Sequence, residues 1–125
     1  MERACNDFAD RLEPLGFKRK NNRGRTWTRS GADGRACIHL HRSGCSYGSP
    51  RNNSIDIRVE LSIEPLDPNA AYRGQLTSEQ VRDARGYAYH LRFNAFTWST
   101  YDRCIDDFER FIRERGLPWF KQHGV

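Results

Sequence analysis

The chain has 125 residues, which is the size of one ordinary domain with its own core. Of these residues 37% are hydrophobic and 30% are charged, and no apolar run approaches the ~18 residues that a transmembrane helix needs. The N-terminal sequence is charged from its second residue onward and has no apolar stretch typical of a secretory signal. We therefore expect one cytoplasmic domain over residues 1–125.

The formal net charge of +5 is distributed unevenly along the chain. Residues 1–51 contain 11 basic and 5 acidic side chains, whereas residues 52–125 contain 10 and 11. The positive excess is therefore N-terminal, and any partner attracted by charge alone would meet that half of the chain first.

Apolar spacing predicts an N-terminal helix followed by three strands. The helix ends at Pro14 and Gly16, which are both typical of helix ends. Its apolar stripe consists of Ala4, Phe8, Leu12 and Leu15. Strands are predicted over residues 25–29, 35–42 and 55–63, and the last has the clearest alternation of apolar and polar positions. We expect this last strand to present one face to the core and one to solvent.

A short helix and a fourth strand are predicted next. Thr77 and Gln80 have the spacing of a capping box, which would open a helix ending near Ala84. Residues 87–93 alternate apolar and polar side chains, which predicts a strand.

The last predicted element is an amphipathic helix that is capped by Ser99 and stops at Gly116 and Pro118. Loops at 43–53 and 64–86 separate the strands. This order of elements predicts a two-layer α+β domain, in which an antiparallel four-stranded sheet carries the N- and C-terminal helices on its apolar face. The other face of the sheet would be polar, and we look for function there.

Three short motifs follow one another at the ends of these elements: LGFKRK at residues 15–20, WTR at residues 27–29 and GLPWF at residues 116–120. This order resembles an uncharacterised bacterial family, catalogued as domain of unknown function four-three-zero-four. The resemblance implies a small single-domain protein without established catalytic residues. It also implies a partner among bacterial toxins or defence systems. The stretch at 37–45, with its two histidines, departs from the family pattern.

Our leading hypothesis is a non-enzymatic protein-binding module, such as a bacterial immunity or antitoxin-like protein that neutralises its partner. A sheet face with mixed charges gives specificity through electrostatic complementarity. The proposed contact residues are Asp56, Arg58, Glu60, His90, Arg92, His39 and His41. An immunity protein against a nuclease would be acidic, whereas this chain is basic, so an acidic or neutral toxin fits it better.

Catalysis is an alternative use of the same face. Asp56, Glu60 and His90 could act as general acid or base if their strands were adjacent. However, Arg58 and Arg92 fall on that face too, and a mixed-charge sheet surface needs no catalysis to explain it. We therefore favour binding over catalysis and expect no cofactor.

Metal binding is a second alternative. Cys37, His39, His41 and Cys45 are the one cluster in the sequence with metal-ligand chemistry. Residues two apart on a strand point to the same side, and Cys45 could fold back as a further ligand. The four cysteines of the chain contain no Cys-x-x-Cys pair, and without a secretory route we expect them to be reduced.

Nucleic-acid binding is a third alternative, based on the basic turn at residues 18–29. Its cations are Lys18, Arg19, Lys20, Arg23, Arg25 and Arg29. Such a cluster could follow a phosphate backbone while Trp27 stacks on a base. The competing interpretation is that these charges protect an edge strand from pairing with other chains.

Overall fold

A computed structural model describes residues 1–21, 24–43, 54–67, 69–70 and 74–125. Helix α1 spans Glu2–Leu12 and continues as a 3₁₀ turn over Glu13–Leu15. Gly16 then ends it in the left-handed conformation, with φ of 87°, which confirms the helix and the end predicted from the sequence. Helices α2 and α3 span Tyr101–Phe111 and Leu117–Gln122.

Six strands in the described ranges form one antiparallel sheet, so the α+β class is confirmed and the prediction of four strands is wrong. The strands are β1 (Lys18–Arg19), β2 (Thr26–Ser30), β3 (Gly34–Ser43), β4 (Ser54–Pro65), β5 (Gln75–Thr77) and β6 (Arg92–Asn94). They pair in the order β1-β2-β3-β4, and β5 and β6 both pair with β4. The two strands missed, β1 and β5, have two and three residues and are too short to show a period-two pattern.

One edge of β4 is closed by several different partners. Strand β6 pairs with its beginning and β5 with its second half. Between these two strands the Ile57 amide donates to the Leu91 carbonyl at 2.8 Å, and the Val59 amide donates to Ser78 Oγ at 3.0 Å. Segment 78–91 therefore meets β4 at its two ends, through Ser78 and Leu91, without forming a regular strand there.

The core is one buried cluster to which both the strands and the helices contribute. Ile55, Ile57, Val59 and Leu61 are buried, as the alternation predicted, and Ile63 packs against the cluster at its margin. From the helices the cluster includes Phe8, Leu12, Phe108 and Ile112. The rings of Phe8 and Phe108 have centroids 4.1 Å apart, so α1 and α2 meet directly inside the core.

The fourth strand predicted over residues 87–93 is wrong in extent, because only the three residues of β6 pair with β4. The amides that precede β6 bond to side chains instead of to a strand. The Tyr87 amide donates to Asp83 Oδ1 at 2.9 Å, and the His90 amide donates to Asp107 Oδ2 at 2.7 Å. These carboxylates satisfy the backbone that a sheet ladder would otherwise need.

The predicted stop at Gly116 and Pro118 is also wrong. Residues Ile112–Gly116 form a π-helical turn that leads directly into α3. Gly116 has an ordinary helical φ of −70°, and a Cβ there would lie 3.3 Å from Leu61 Cδ1. Gly116 therefore does not end the helix but lets the helix backbone lie close to β4. Pro118 is tolerated because it lies in the first turn of α3.

Two predicted caps have different outcomes. The Thr77–Gln80 capping box is confirmed, but the helix that it opens is a single 3₁₀ turn over Ser78–Gln80, because Val81 is already extended. The cap at Ser99 is wrong: Thr100 precedes α2 in a left-handed conformation and makes no side-chain cap. Within the described ranges, no helix has both the length and the apolar character needed to cross a bilayer.

Candidate functional sites

The polar side of the sheet brings two histidines and a glutamate together. His41 Nε2 lies 2.7 Å from Glu60 Oε2, and His39 Nδ1 lies 2.5 Å from Thr26 Oγ1. The two imidazoles are in edge contact, with centroids 4.5 Å apart. The sequence therefore placed His39, His41 and Glu60 correctly on one face, and the structure adds that they are half-buried and bonded to neighbours.

Burial and nearby charges favour the neutral form of the His39 ring. Burial lowers the pKa of His39, and the nearby His41 and Arg25 lower it further. A neutral imidazole can donate or accept a hydrogen bond or bind a metal ion. At neutral pH His39 therefore adds hydrogen-bonding capacity to the face without adding charge.

Three of the four residues of the metal cluster predicted from the sequence, Cys37, His39 and His41, lie among the described residues. Cys37 is only 9% exposed, and burial raises the pKa of its thiol, which disfavours the thiolate that a metal requires. Cys45 lies outside the described residues. The described residues hold no group of three or more His, Cys, Asp or Glu side chains placed to hold a metal ion.

Asp56 and Arg58, two further residues of the polar face, carry unsatisfied buried atoms. Asp56 Oδ1 and Arg58 Nε have no hydrogen-bond partner in the part of the chain that the structure describes. Asp56 lies opposite Arg92 where β4 pairs with β6. Buried polar atoms without partners are rare in proteins, so this end of the sheet deserves a functional explanation.

A cleft of about 480 Å³ opens beside this end of the sheet, and we call it the lateral cleft. Its polar lining includes Asp56, Ser78, Arg82, His90, Arg92 and Arg103. Sequence reasoning identified Asp56, His90 and Arg92 and missed Arg103, which lies in the first turn of α2.

His90 occupies an unusual position in the lateral cleft. Its Nε2 is buried and has no hydrogen-bond partner in the described ranges. Burial lowers the pKa of His90, and the charges of Arg103 and then Arg92 lower it further. Both arginines line the lateral cleft together with His90.

One arginine fixes the wall of this cleft. The Arg110 guanidinium lies 3.2 Å from Asp83, 3.0 Å from Asp107 and 3.4 Å from Glu114. We call these four residues the arginine clamp. Hydrogen bonds from the Tyr87 amide, followed by the Arg110 side chain and the Arg85 amide, lower the pKa of the Asp83 carboxyl. The spacings of three and four residues predict the pairs of Arg110 with Asp107 and Glu114, but no sequence spacing predicts the contact with Asp83.

A second surface that sequence reasoning missed is the aromatic turn, residues 94–100, which runs from the last residue of β6 to the start of α2. Phe96 is 79% exposed and Trp98 is 39% exposed. Trp98 stacks on Phe93 with centroids 5.7 Å apart, and the Arg3 guanidinium carbon lies 4.5 Å from the centroid of the indole. In the sequence, Phe96 and Trp98 fit neither the strand nor the helix pattern of apolar positions. That misfit was the signal that could have identified this surface.

The basic turn is less suited to nucleic acid than its sequence indicates. Lys18, Lys20 and Arg25 are exposed, whereas Arg19 is engaged by the Gly24 carbonyl at 2.7 Å. Arg23 lies outside the described residues. The prediction that Trp27 stacks on a base is wrong, since Trp27 is 0% exposed.

The register explains the burial of Trp27, because it lies opposite Ile38 on the core side of the sheet. The basic turn therefore presents cations to solvent, but Trp27 is not available for the base stacking on which the nucleic-acid alternative depended.

Comparisons with protein-family models, with curated proteins and with solved structures give no match.

Proposed function

We propose that this protein is a non-enzymatic binding module whose partner is another protein, and that the aromatic turn is the centre of the contact. The observation that carries the proposal is the exposure of Phe96 beside Trp98. A few residues supply most of the binding energy at protein interfaces, and these are enriched in Trp, Tyr and Arg, while Phe is enriched at interfaces in general. Phe96, Trp98 and the stacked Arg3 provide that combination at one place on the surface.

The aromatic turn is held in one conformation by its own hydrogen bonds. Asn94 Oδ1 accepts from the amides of Phe96 and Thr97 at 2.8 and 2.9 Å, and the Trp98 amide donates to the Asn94 carbonyl at 2.7 Å. Trp98 and Thr100 have positive φ angles of 61° and 63°, a conformation that costs a residue with a side chain about 1–2 kcal/mol. Strain of this kind gathers at ligand-binding segments, and a rigid turn loses little entropy on binding.

Charges near the turn indicate the chemistry of the partner. Arg3, Arg92 and Arg103 are exposed in this region, and the whole chain carries +5. A partner with an apolar pocket and an acidic rim complements such a surface. A toxin that is occluded in this way is one such partner, and a toxin gene in the neighbouring reading frames would support that version of the proposal.

The polar sheet face is the second proposed contact. We propose that both main helices cover one side of the sheet, so that the residues predicted from the sequence lie on the side away from them. Among those residues Arg92 is exposed, whereas His39, His41, Asp56, Arg58, Glu60 and His90 are half-buried. We therefore expect this face to contribute specificity at the rim and less of the affinity.

The test is capture of a partner from the source cells, followed by affinity measurements by calorimetry with purified variants. Phe96→Ala should weaken binding by about 2 kcal/mol or more, as expected for a residue at the centre of an interface. Leu66→Ala is the matched control, because Leu66 is another exposed apolar residue, at 71%, and should leave the affinity within about twofold.

Two results would contradict the proposal. Failure of the wild-type protein to retain any protein specifically would remove the binding function. Retention that is insensitive to Phe96→Ala but abolished by Arg92→Glu would move the contact from the aromatic turn to the polar sheet face.

A further inference from the structure

We propose that the lateral cleft is a binding site for a small oxyanion, meaning a molecule that carries a phosphate or carboxylate group. This site goes beyond the protein-binding function, because it takes a small molecule and lies in a concave region apart from Phe96 and Trp98. Three observations carry the proposal: the size of the cleft, the arginines that line it and the rigidity of its wall.

The volume of the lateral cleft suits a small ligand. At about 480 Å³ it falls within the range of small-molecule pockets in proteins, roughly 300–1,000 Å³. Its walls come from the edge of β4, from segment 78–92 and from Arg103 on α2. A ligand placed there would contact three parts of the fold at once.

The lining offers more positive than negative groups. Arg82, Arg92 and Arg103 line the cleft together with two carboxylates, those of Asp56 and Glu79. Within the described ranges no carboxylate forms an ion pair with Arg92 or Arg103, so their guanidinium donors are available. A planar guanidinium matches a carboxylate or phosphate with two parallel hydrogen bonds, which is why arginine predominates at such sites.

His90 lies in the cleft together with two of these arginines. Arg92, Arg103 and His90 all line it. Burial, followed by the charges of Arg103 and Arg92, lowers the pKa of His90, whereas Asp107, which accepts from the His90 amide, acts in the opposite direction. An anion bound in the cleft would be attracted by both guanidinium groups.

One of the two carboxylates, that of Asp56, has a consistent role at such a site. Asp56 Oδ1 is a buried acceptor without a partner in the described ranges. A small displacement of the Asp56 side chain would let this oxygen accept from a hydroxyl on the same ligand, because a carboxylate accepts hydrogen bonds only. A hydroxylated anion would therefore bind more tightly than a bare one.

The wall of the cleft is fixed before any ligand arrives. The arginine clamp holds Asp83, and Arg115 donates twice to the Arg82 carbonyl, at 2.7 and 3.1 Å. The Tyr89 hydroxyl donates to Glu114 at 2.9 Å, which ties a further residue of the wall to the π-helical turn after α2. A site that is already ordered avoids the entropy cost of closing around its ligand.

The experiment is an NMR titration of the whole protein at low salt with inorganic phosphate, ribose 5-phosphate and succinate. We expect saturable shifts of the His90 ring and of the amides lining the cleft with at least one of them, at millimolar affinity or tighter. Ribose 5-phosphate binding more tightly than phosphate identifies a hydroxylated phosphate ligand, and succinate binding most tightly identifies a carboxylate ligand. Each of these results supports the site.

Substitutions of the arginines that line the cleft test whether the anion binds there. Arg92→Gln combined with Arg103→Gln should weaken binding about tenfold or more, because each lost guanidinium removes charge-assisted hydrogen bonds. Arg113→Gln is the matched control, since Arg113 lies in the π-helical turn after α2, is exposed and does not line the cleft. Thermal melts of each variant establish that it is folded. Shifts that grow linearly without saturation, or saturable binding that survives the double substitution, would overturn the proposal. The protein-binding function is tested separately by Phe96→Ala, because Arg92 and Arg103 also belong to the surface proposed for the protein partner.

Discussion

The guanidinium of Arg110 lies 3.2 Å from the carboxylate of Asp83, although 27 residues separate them in the chain. This contact joins an irregular segment to helix α2, and the ends of that segment bond to β4 through Ser78 and Leu91. The Arg110 side chain is 35% exposed, and a partly exposed ion pair adds little net stability because solvent screens the attraction. Its effect here is positional: it determines where residues 82–90 lie, and hence the shape of the lateral cleft.

The first prediction concerns the arginine clamp. Arg110→Met leaves Asp83 and Asp107 without their cation, so segment 82–90 should open more often. Amide hydrogen exchange at Tyr87 and His90, whose amides bond to these carboxylates, should accelerate more than exchange in β3. Arg113→Met is the control, because Arg113 pairs with Glu109 on the exposed side of the helix. Equal protection of Tyr87 in both variants would refute the role of the clamp.

The second prediction concerns the close approach of Gly116 to Leu61. Gly116→Leu should destabilise the protein by about 1–3 kcal/mol through overpacking, despite the better helix propensity of leucine. In a Leu61→Ala background the same substitution should cost less, because the cavity left by Leu61 accommodates the added side chain. A double-mutant cycle from urea unfolding measures this coupling. Additive effects would show that the two residues do not meet.

The third prediction is a loss of stability in mild acid. The folded protein holds the pKa values of His39 and His90 below their ordinary value, chiefly by burial. As pH falls below the unfolded value of about 6.5, the unfolded chain therefore takes up protons that the folded chain does not, and stability decreases. The effect is complete once pH has passed below the folded pKa values.

Urea midpoints measured across this range test the third prediction. The midpoint should fall between pH of about 7.5 and 5.5, and the double variant His39→Gln with His90→Gln should flatten that part of the profile. Between pH of about 7.5 and 8.5 both rings are neutral in both states, so the two proteins should show parallel profiles there. An unchanged acid slope in the double variant would assign the effect to other groups.

The fourth prediction concerns thiol reactivity. Burial raises the pKa of Cys5 and Cys37, and it raises that of Cys104 to about 12. Since the thiolate is the reactive species, all three should resist a disulfide reagent in the native protein and react readily in denaturant. Cys45 lies outside the described residues, so Cys45→Ser removes its contribution from the assay. A native thiol among these three that reacts as fast as in urea would contradict the burial.

Sequence periodicity was sufficient wherever the determining contacts are local. The alternation over 55–63 and the apolar spacing of α1 are patterns within one element, and both were identified correctly. The strand predicted over 87–93 failed because Asp107, on a different element, takes the amide that a ladder would use. No window of sequence around residue 90 contains that partner.

The candidate sites show the same difference between residues predictable from local patterns and contacts that depend on the tertiary fold. His90 and Arg92 could be named from a strand pattern, but their meeting with Arg103 depends on how α2 packs beside β6. Trp27 was assigned to base stacking because it lies among the cations of the basic turn, whereas its register opposite Ile38 places it in the core. Tertiary register decides such cases, and composition does not reveal it.

The way in which the outer edge of β4 is closed bears on fibril formation. Residues 55–63 are rich in β-branched side chains, a feature of segments that stack between molecules once their edges are free. In the folded protein β3 covers one edge, and the other edge is covered by β5, β6, the Ser78 hydroxyl and the Leu91 carbonyl. Ser78 and Leu91 flank the irregular segment that Arg110 holds in place. Detachment of that segment, without global unfolding, would free the amides of Ile57 and Val59 for intermolecular pairing, so we expect the arginine clamp to reduce aggregation as well.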